Sequence, residues 1–172
     1  MNDIIKALEE RRSVRAYEDR PVPRELIEQV IEAGLWAPSG MGRQSPIIVA
    51  VTDRALRDRL SAANAAVMGG DGDPFYGAPV VLVVLAPRDV PTYIYDGSLV
   101  MGNLMNAAHT LGLGSCWIHR AKEVFDQPEF KQLLADLGVE GDYEGIGNCI
   151  LGWPAQSSET KPRREGRVFW AE

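Results

Sequence analysis

The run VVLVVLA, residues 80–86, is the strongest constraint on what this chain can fold into. Seven consecutive apolar residues, rich in valine, read as a β-strand buried on both faces. The run IIVAVT, residues 47–52, has the same character and reads as a second, central strand. Two further strands are expected, one starting at GLGSCWIH, 112–119, and one over 146–152.

Helical patterns lie between these runs. The spacing predicts a helix over 3–12, capped by Asn2 or Asp3, with Ile4, Ile5 and Leu8 as its apolar stripe. Another runs over 24–36, with Pro23 at its first turn. Asp53 can cap a third helix through Leu56 and Leu60. Residues 64–79 read as a loop or mobile lid. The stretch 96–113 is apolar nearly all round and needs cover on more than one side, for which a partner subunit is the expected source. A further helix is expected over 121–138, and Gly112 or Gly114 ends the helix before it. The polar tail closes on Val168, Phe169 and Trp170, which are expected to dock in cis or on a partner. At 172 residues a single domain, 1–172, is the natural expectation.

Several function classes fall away. No apolar run reaches the length of a bilayer span, so no membrane partner is expected. The start of the chain carries Asp3 and no cleavable apolar segment, which makes cytoplasmic residence the expectation. Cys116 and Cys149 read as buried free thiols, and His109 and His119 lack ligand-spaced neighbours, so no metal site is expected. The net charge of −6 argues against nucleic acid. Neither a Gly-rich dinucleotide or phosphate loop nor a nucleophile elbow is present.

Against that acidic balance, two cationic clusters stand out. RRSVR supplies Arg11, Arg12, Ser13 and Arg15. On a helix Arg11 and Arg15 are i, i+4 neighbours; on a strand Arg11, Ser13 and Arg15 share one face. Guanidinium forks match phosphate, and a serine hydroxyl adds a donor. The same run also suits a solvated helix end paired with Glu9, Glu10, Glu18 and Asp19. KPRR supplies Lys161, Arg163 and Arg164, which alone suit an exposed tail. Together the two clusters point to a phosphate-bearing small ligand. The loop APSGMGRQSP offers Ser39, the backbone of Gly40 and Gly42, and the Gln44 amide. No acid–base or nucleophilic constellation is legible, so an enzyme of this kind would leave its hard chemistry to a cofactor.

The order RRSVRAY, LIEQVIEAGLWAPSGMGRQ, a β-run, LGLGSCWI and a final GWP…KPRR resembles the FMN-dependent nitroreductase family over about residues 3–164. The resemblance implies an α+β fold: a central mixed β-sheet flanked by helices, in an interlocked homodimer with FMN at the subunit interface. It implies NADH or NADPH as electron donor and ping-pong reduction of a nitroaromatic, quinone or enone-type acceptor. By the resemblance, Arg11, Arg12, Ser13 and Arg15 contact the FMN phosphate and ribityl chain, and Lys161 and Arg163 complete the phosphate site, with Arg164 able to replace one of them. Pro38, Ser39, Gly40 and Gln44 form the loop the other subunit brings to the flavin ring, and Trp117, Ile118 and His119 border its reactive edge. No residue is assigned as a certain catalyst; His119 is a candidate proton donor. The sequence departs from the family's pattern at Gly40 and Gly42, at Ser45-Pro46, and at His119-Arg120, where many members carry an acid and a glycine. A flavin-binding protein without NAD(P)H turnover, and a flavin-modifying or dehalogenating relative, are the rival readings.

Overall fold

The computed structural model describes residues 2–156 and 159–172; Ser157 and Ser158, inside the polar tail, lie outside the described residues. In chain order the elements are α1 (Asp3–Glu10), α2 (Arg24–Leu35), a one-turn 3₁₀ helix (Gly40–Gly42), β1 (Ile47–Val51), α3 (Arg54–Val67), β2 (Val80–Pro87), α4 (Tyr93–Thr110), β3 (Gly114–Ile118), α5 (Ala121–Phe125), α6 (Pro128–Asp136) and β4 (Tyr143–Gly152).

Among the described residues the sheet has four strands in the order β1-β2-β4-β3, with every neighbouring pair antiparallel. The α+β fold with helices flanking a sheet is as expected, but the mixed character is confined to one isolated parallel bridge, between Ser13 and Ser115. The apolar run of β2 divides its side chains strictly by face. Val80, Leu82, Val84 and Ala86 pack with Val30 of α2 and Val100, Met101 and Leu104 of α4. Val81, Val83 and Leu85 pack with Leu60 of α3, Val124 and Phe125 of α5 and Phe130 of α6. This is the arrangement a strand without polar alternation demands.

IIVAVT is a correction: β1 is an edge strand, not a central one. Its apolar content reports helices above and below it, and says nothing about whether both hydrogen-bonding edges are paired. Other boundaries differ for local reasons. α3 continues through Val67, so the segment read as a loop from 64 begins as helix. α4 starts at Tyr93, three residues before Asp96, with Gly112 (φ 74°) in the left-handed position after it. The helix expected over 121–138 is two helices, because Pro128 holds Gln127 extended and opens α6 at its first turn. β4 begins at Tyr143 rather than Ile146. Caps behave as the sequence suggests: Asn2 Oδ1 accepts from the Ile4 amide at 2.9 Å and Asp53 Oδ1 from that of Leu56 at 2.8 Å.

The turn after α3 is pinned by one side chain. Asp73 accepts from Arg57 (2.6 Å), Ser61 (2.6 Å) and the amides of Phe75 (3.0 Å) and Gly77 (2.7 Å). Burial alone would raise its carboxyl, but these donors outweigh that and bring its pKa to about 2. No described helix is long and apolar enough to cross a membrane. Apolar side chains nevertheless stay exposed: Ile4, Ile5 and Leu8 on α1, Tyr95 and Leu99 on α4, and Val168, Phe169 and Trp170 in the tail.

Candidate functional site

The first cationic cluster is extended, not helical. α1 ends at Glu10, and the chain then runs alongside β3: the Val14 amide donates to the Ser115 carbonyl at 2.9 Å. Val14 is buried against Gly114, where a Cβ would lie 2.9 Å from the valine. Alternation turns Arg11, Ser13 and Arg15 to the other side, the strand-like option of the two left open above. Farther on, the Glu18 amide donates to the Trp153 carbonyl (2.9 Å) and the Ala155 amide to the Ala16 carbonyl (3.0 Å). The tail leaving β4 is thereby stitched back onto this segment.

That stitching closes one cleft from the two ends of the chain. Arg11, Arg12, Ser13 and Arg15 line it with Lys161 and Arg163, in a volume of about 520 Å³. Glu159 and Gln156 complete the wall. Arg164 stands apart, exposed, with its carbonyl accepting from Arg167 at 3.1 Å. Within the cleft the arginines differ. Arg12 is tied to protein: it donates to the carbonyls of Glu9 (2.5 Å) and Arg11 (2.7 Å) and to the Thr160 hydroxyl (2.5 Å). It therefore fastens the tail to the end of α1. Arg11 Nη1 is buried with no hydrogen-bond partner. A buried, unpaired guanidinium nitrogen is costly unless an anion meets it.

The other family-matched residues lie elsewhere. Pro38, Ser39 and Gln44 line a separate, smaller pocket of about 130 Å³ with Asp96 and Val100. The loop is held firmly. The Gly40 amide donates to Asp96 Oδ1 (2.9 Å), whose other oxygen accepts from Thr92 (2.8 Å), and Ser39 Oγ accepts from the Gln44 amide (2.8 Å). Gly40 itself has no room for a side chain: a Cβ would lie 2.3 Å from Thr92 Oγ1. Its serine-to-glycine departure is thus matched by Thr92.

Trp117 is half-buried over Gly147, where a Cβ would come within 2.4 Å of the indole nitrogen. Two buried asparagines hold the end of this strand: Asn148 donates to the Ile118 carbonyl (3.4 Å) and Asn64 to the His119 carbonyl (2.8 Å). His119 itself is exposed. Asn64 is fully buried and its Oδ1 has no hydrogen-bond partner. Sequence reading passed over it. The signal available was its place between Leu60 and Val67 in the apolar stripe of α3, where an amide is out of character. Ser13 touches the start of β3 and His119 follows its end, so the cationic cleft and the Asn64 amide sit about 13 Å apart along one strand.

The sequence model of the nitroreductase family matches residues 8–70 and 62–153. The chain belongs to the nitroreductase family. A solved nitroreductase with bound FMN from Bacteroides fragilis superposes with a TM-score of 0.90 at 27% identity, each chain covered completely. FMN reductase (NAD(P)H) of Bacillus subtilis is 27% identical over 186 residues, 95% of this chain and 70% of that protein. A relative from Methanothermobacter thermautotrophicus is 29% identical over 119 residues, 67% of this chain and 60% of that longer protein.

Proposed function

We propose that this chain is a single FMN-binding domain, residues 1–172, that works in the cytoplasm as a homodimeric NAD(P)H-dependent oxidoreductase. The observation that carries the reading is the cleft in which RRSVR and KPRR, from opposite ends of the chain, face each other, with the buried Arg11 Nη1 unpaired. Such a cleft suits the phosphate of FMN. FMN held there would supply the redox chemistry that links NADH or NADPH to a nitroaromatic, quinone or enone-type acceptor.

The chain's own residues bind and orient. Arg11, Arg15, Lys161 and Arg163 neutralise the phosphate and Ser13 adds a hydroxyl donor; Arg12 acts mainly by fastening the tail through Thr160. Trp117, Ile118 and His119 border the ring edge, with His119 a candidate proton donor. Arg164 lies outside the cleft and is left out of the phosphate site. Pro38, Ser39, Gly40 and Gln44 do not line the cationic cleft of their own chain, which supports their serving the partner's cofactor. Exposed apolar residues on α1, α4 and the tail, together with the open edge of β1, support a dimer in which the tails cross over. The relative named as an FMN reductase using NAD(P)H is consistent with this activity.

The test is spectroscopic. Purified chain mixed with FMN is expected to quench its fluorescence at one FMN per chain, and anaerobic NADH or NADPH should then bleach the bound flavin. Failure to bind FMN removes the proposal, and binding without bleaching reduces it to a flavin-binding protein.

A further inference from the structure

Beyond β3 the chain turns through His119 and Arg120 into α5, and Arg120 sits at φ 77°, in the left-handed region. L side chains adopt that region at a cost and glycine does not. A glycine would therefore make this turn without strain, and arginine there has to be explained by its side chain. The Arg120 side chain is 44% exposed, and its guanidinium donates to Glu123 at 3.0 Å. An exposed i, i+3 pair of this kind holds weakly and exchanges readily for another anion. The neighbouring cation, Lys122, is engaged by Glu144 at 3.3 Å. The turn that carries Arg120 is rigid: Asn64 holds the His119 carbonyl and Asn148 the Ile118 carbonyl.

We infer that Arg120 is a specificity-determining residue that receives an anionic group of the substrate, a carboxylate or phosphate, releasing Glu123 to do so. The inference rests on the reading that the end of β3 borders bound FMN. It places a fixed cation, with His119 beside it, at the rim where electron donor and acceptor enter. The anion can come from the acceptor, as a ring carboxylate, or from the donor, as the phosphate that distinguishes NADPH from NADH.

The test compares wild type, R120G and E123Q as FMN-loaded proteins. The acceptors are a matched pair, 4-nitrobenzoate and 4-nitrobenzyl alcohol, and the donors are NADPH and NADH. Loss of one exposed charge contact is expected to lower kcat/KM for the more anionic member of one pair about fivefold in R120G, with the loss confined to that member. A fall in the nitrobenzoate-to-alcohol ratio locates the anion on the acceptor, and a fall in the NADPH-to-NADH ratio locates it on the donor. E123Q, which frees the guanidinium, should move the same ratio upward. R120G relieves the positive φ and should melt no lower than wild type, which separates selectivity from damage to the turn. Ratios that stay within about twofold in R120G overturn the inference while FMN binding and turnover of the neutral acceptor leave the proposed function standing. A chain that binds no FMN sinks both.

Discussion

Arg11 and Arg12 are adjacent, yet their surroundings assign them different work. Each keeps one buried guanidinium nitrogen unpaired, Arg11 Nη1 and Arg12 Nε, but Arg12 also commits Nη1 and Nη2 to two carbonyls and Thr160. Removing a charged hydrogen-bond donor to phosphate costs about 1.5–3 kcal/mol, so R11A should raise the FMN Kd by about 10- to 100-fold in a fluorescence titration. R12A should act through the tail instead, with added protease sensitivity near Thr160 accompanying any loss of FMN. Equal FMN losses without that sensitivity would show that both arginines serve the phosphate. Asp73 carries a stability prediction. Its folded pKa is about 2 against an ordinary 3.8, so its contribution is complete above about pH 4 and is lost as pH falls from about 4 to 2. D73N should destabilise by about 1–2 kcal/mol at neutral pH, less than for a fully buried pair because the side chain is 39% exposed and water screens it. Urea melts of both proteins at pH 7 and pH 2.5 check this: the difference should shrink at the lower pH. Cys149, by contrast, is inert, because complete burial pushes its thiol up to about 12 and keeps it protonated.

At the scale of elements, the 38–44 loop is fixed by a three-residue device: Gly40 on Asp96, and Thr92 on the same carboxylate. G40S, which moves toward the family's pattern, should force Thr92 aside and cost about 1–3 kcal/mol of stability as an overpacking change. In G40S/T92A the new hydroxyl has space and an acceptor in Asp96, so most of the loss should return. Thermal melts of the four proteins in the cycle measure the coupling, and additive effects would refute it. This device also marks where sequence reading stops. β2 was legible because seven apolar residues need two covered faces, and the caps of α1 and α3 because Asn2 and Asp53 precede apolar periodicity. The edge position of β1 was not, since pairing is a property of backbone edges and not of side-chain hydropathy. The break before Pro128 was missed because the apolar pattern continues on both sides of it. In the site, Arg11, Arg15, Lys161 and Arg163 stood out chemically as cations in an acidic chain, and they do meet. Pro38, Ser39, Gly40 and Gln44 have no chemical signature of their own; resemblance alone points to them. Asn64 and Asp96 were invisible because their significance is burial beside a carbonyl or amide 55 or 56 residues away, which no local pattern encodes.

The whole molecule poses the question of what covers its apolar exterior. Phe169 and Trp170 are 88% and 84% exposed, and α1 buries none of its residues. Large apolar side chains left this open on two helices and one tail mark an association surface. In the proposed dimer each tail crosses to its partner, so each subunit contributes Val168, Phe169 and Trp170 to the other. Full burial of such side chains stabilises by about 1.5–3 kcal/mol each. Deleting 168–172 should therefore weaken the dimer by about 100-fold or more in Kd, even after the ordering cost of the tails is subtracted. Analytical ultracentrifugation over a concentration series reads this directly. The same series tests how the site is assembled. The 38–44 loop and the cationic cleft share no lining residue within one chain, so a cofactor that needs both should be lost from the truncated protein as it dissociates. FMN affinity should then rise with protein concentration in parallel with the dimer fraction. Truncated monomers that hold FMN as tightly as the intact protein would mean that each chain completes its site alone, and that the loop pocket beside Asp96 serves the fold instead of the partner's flavin.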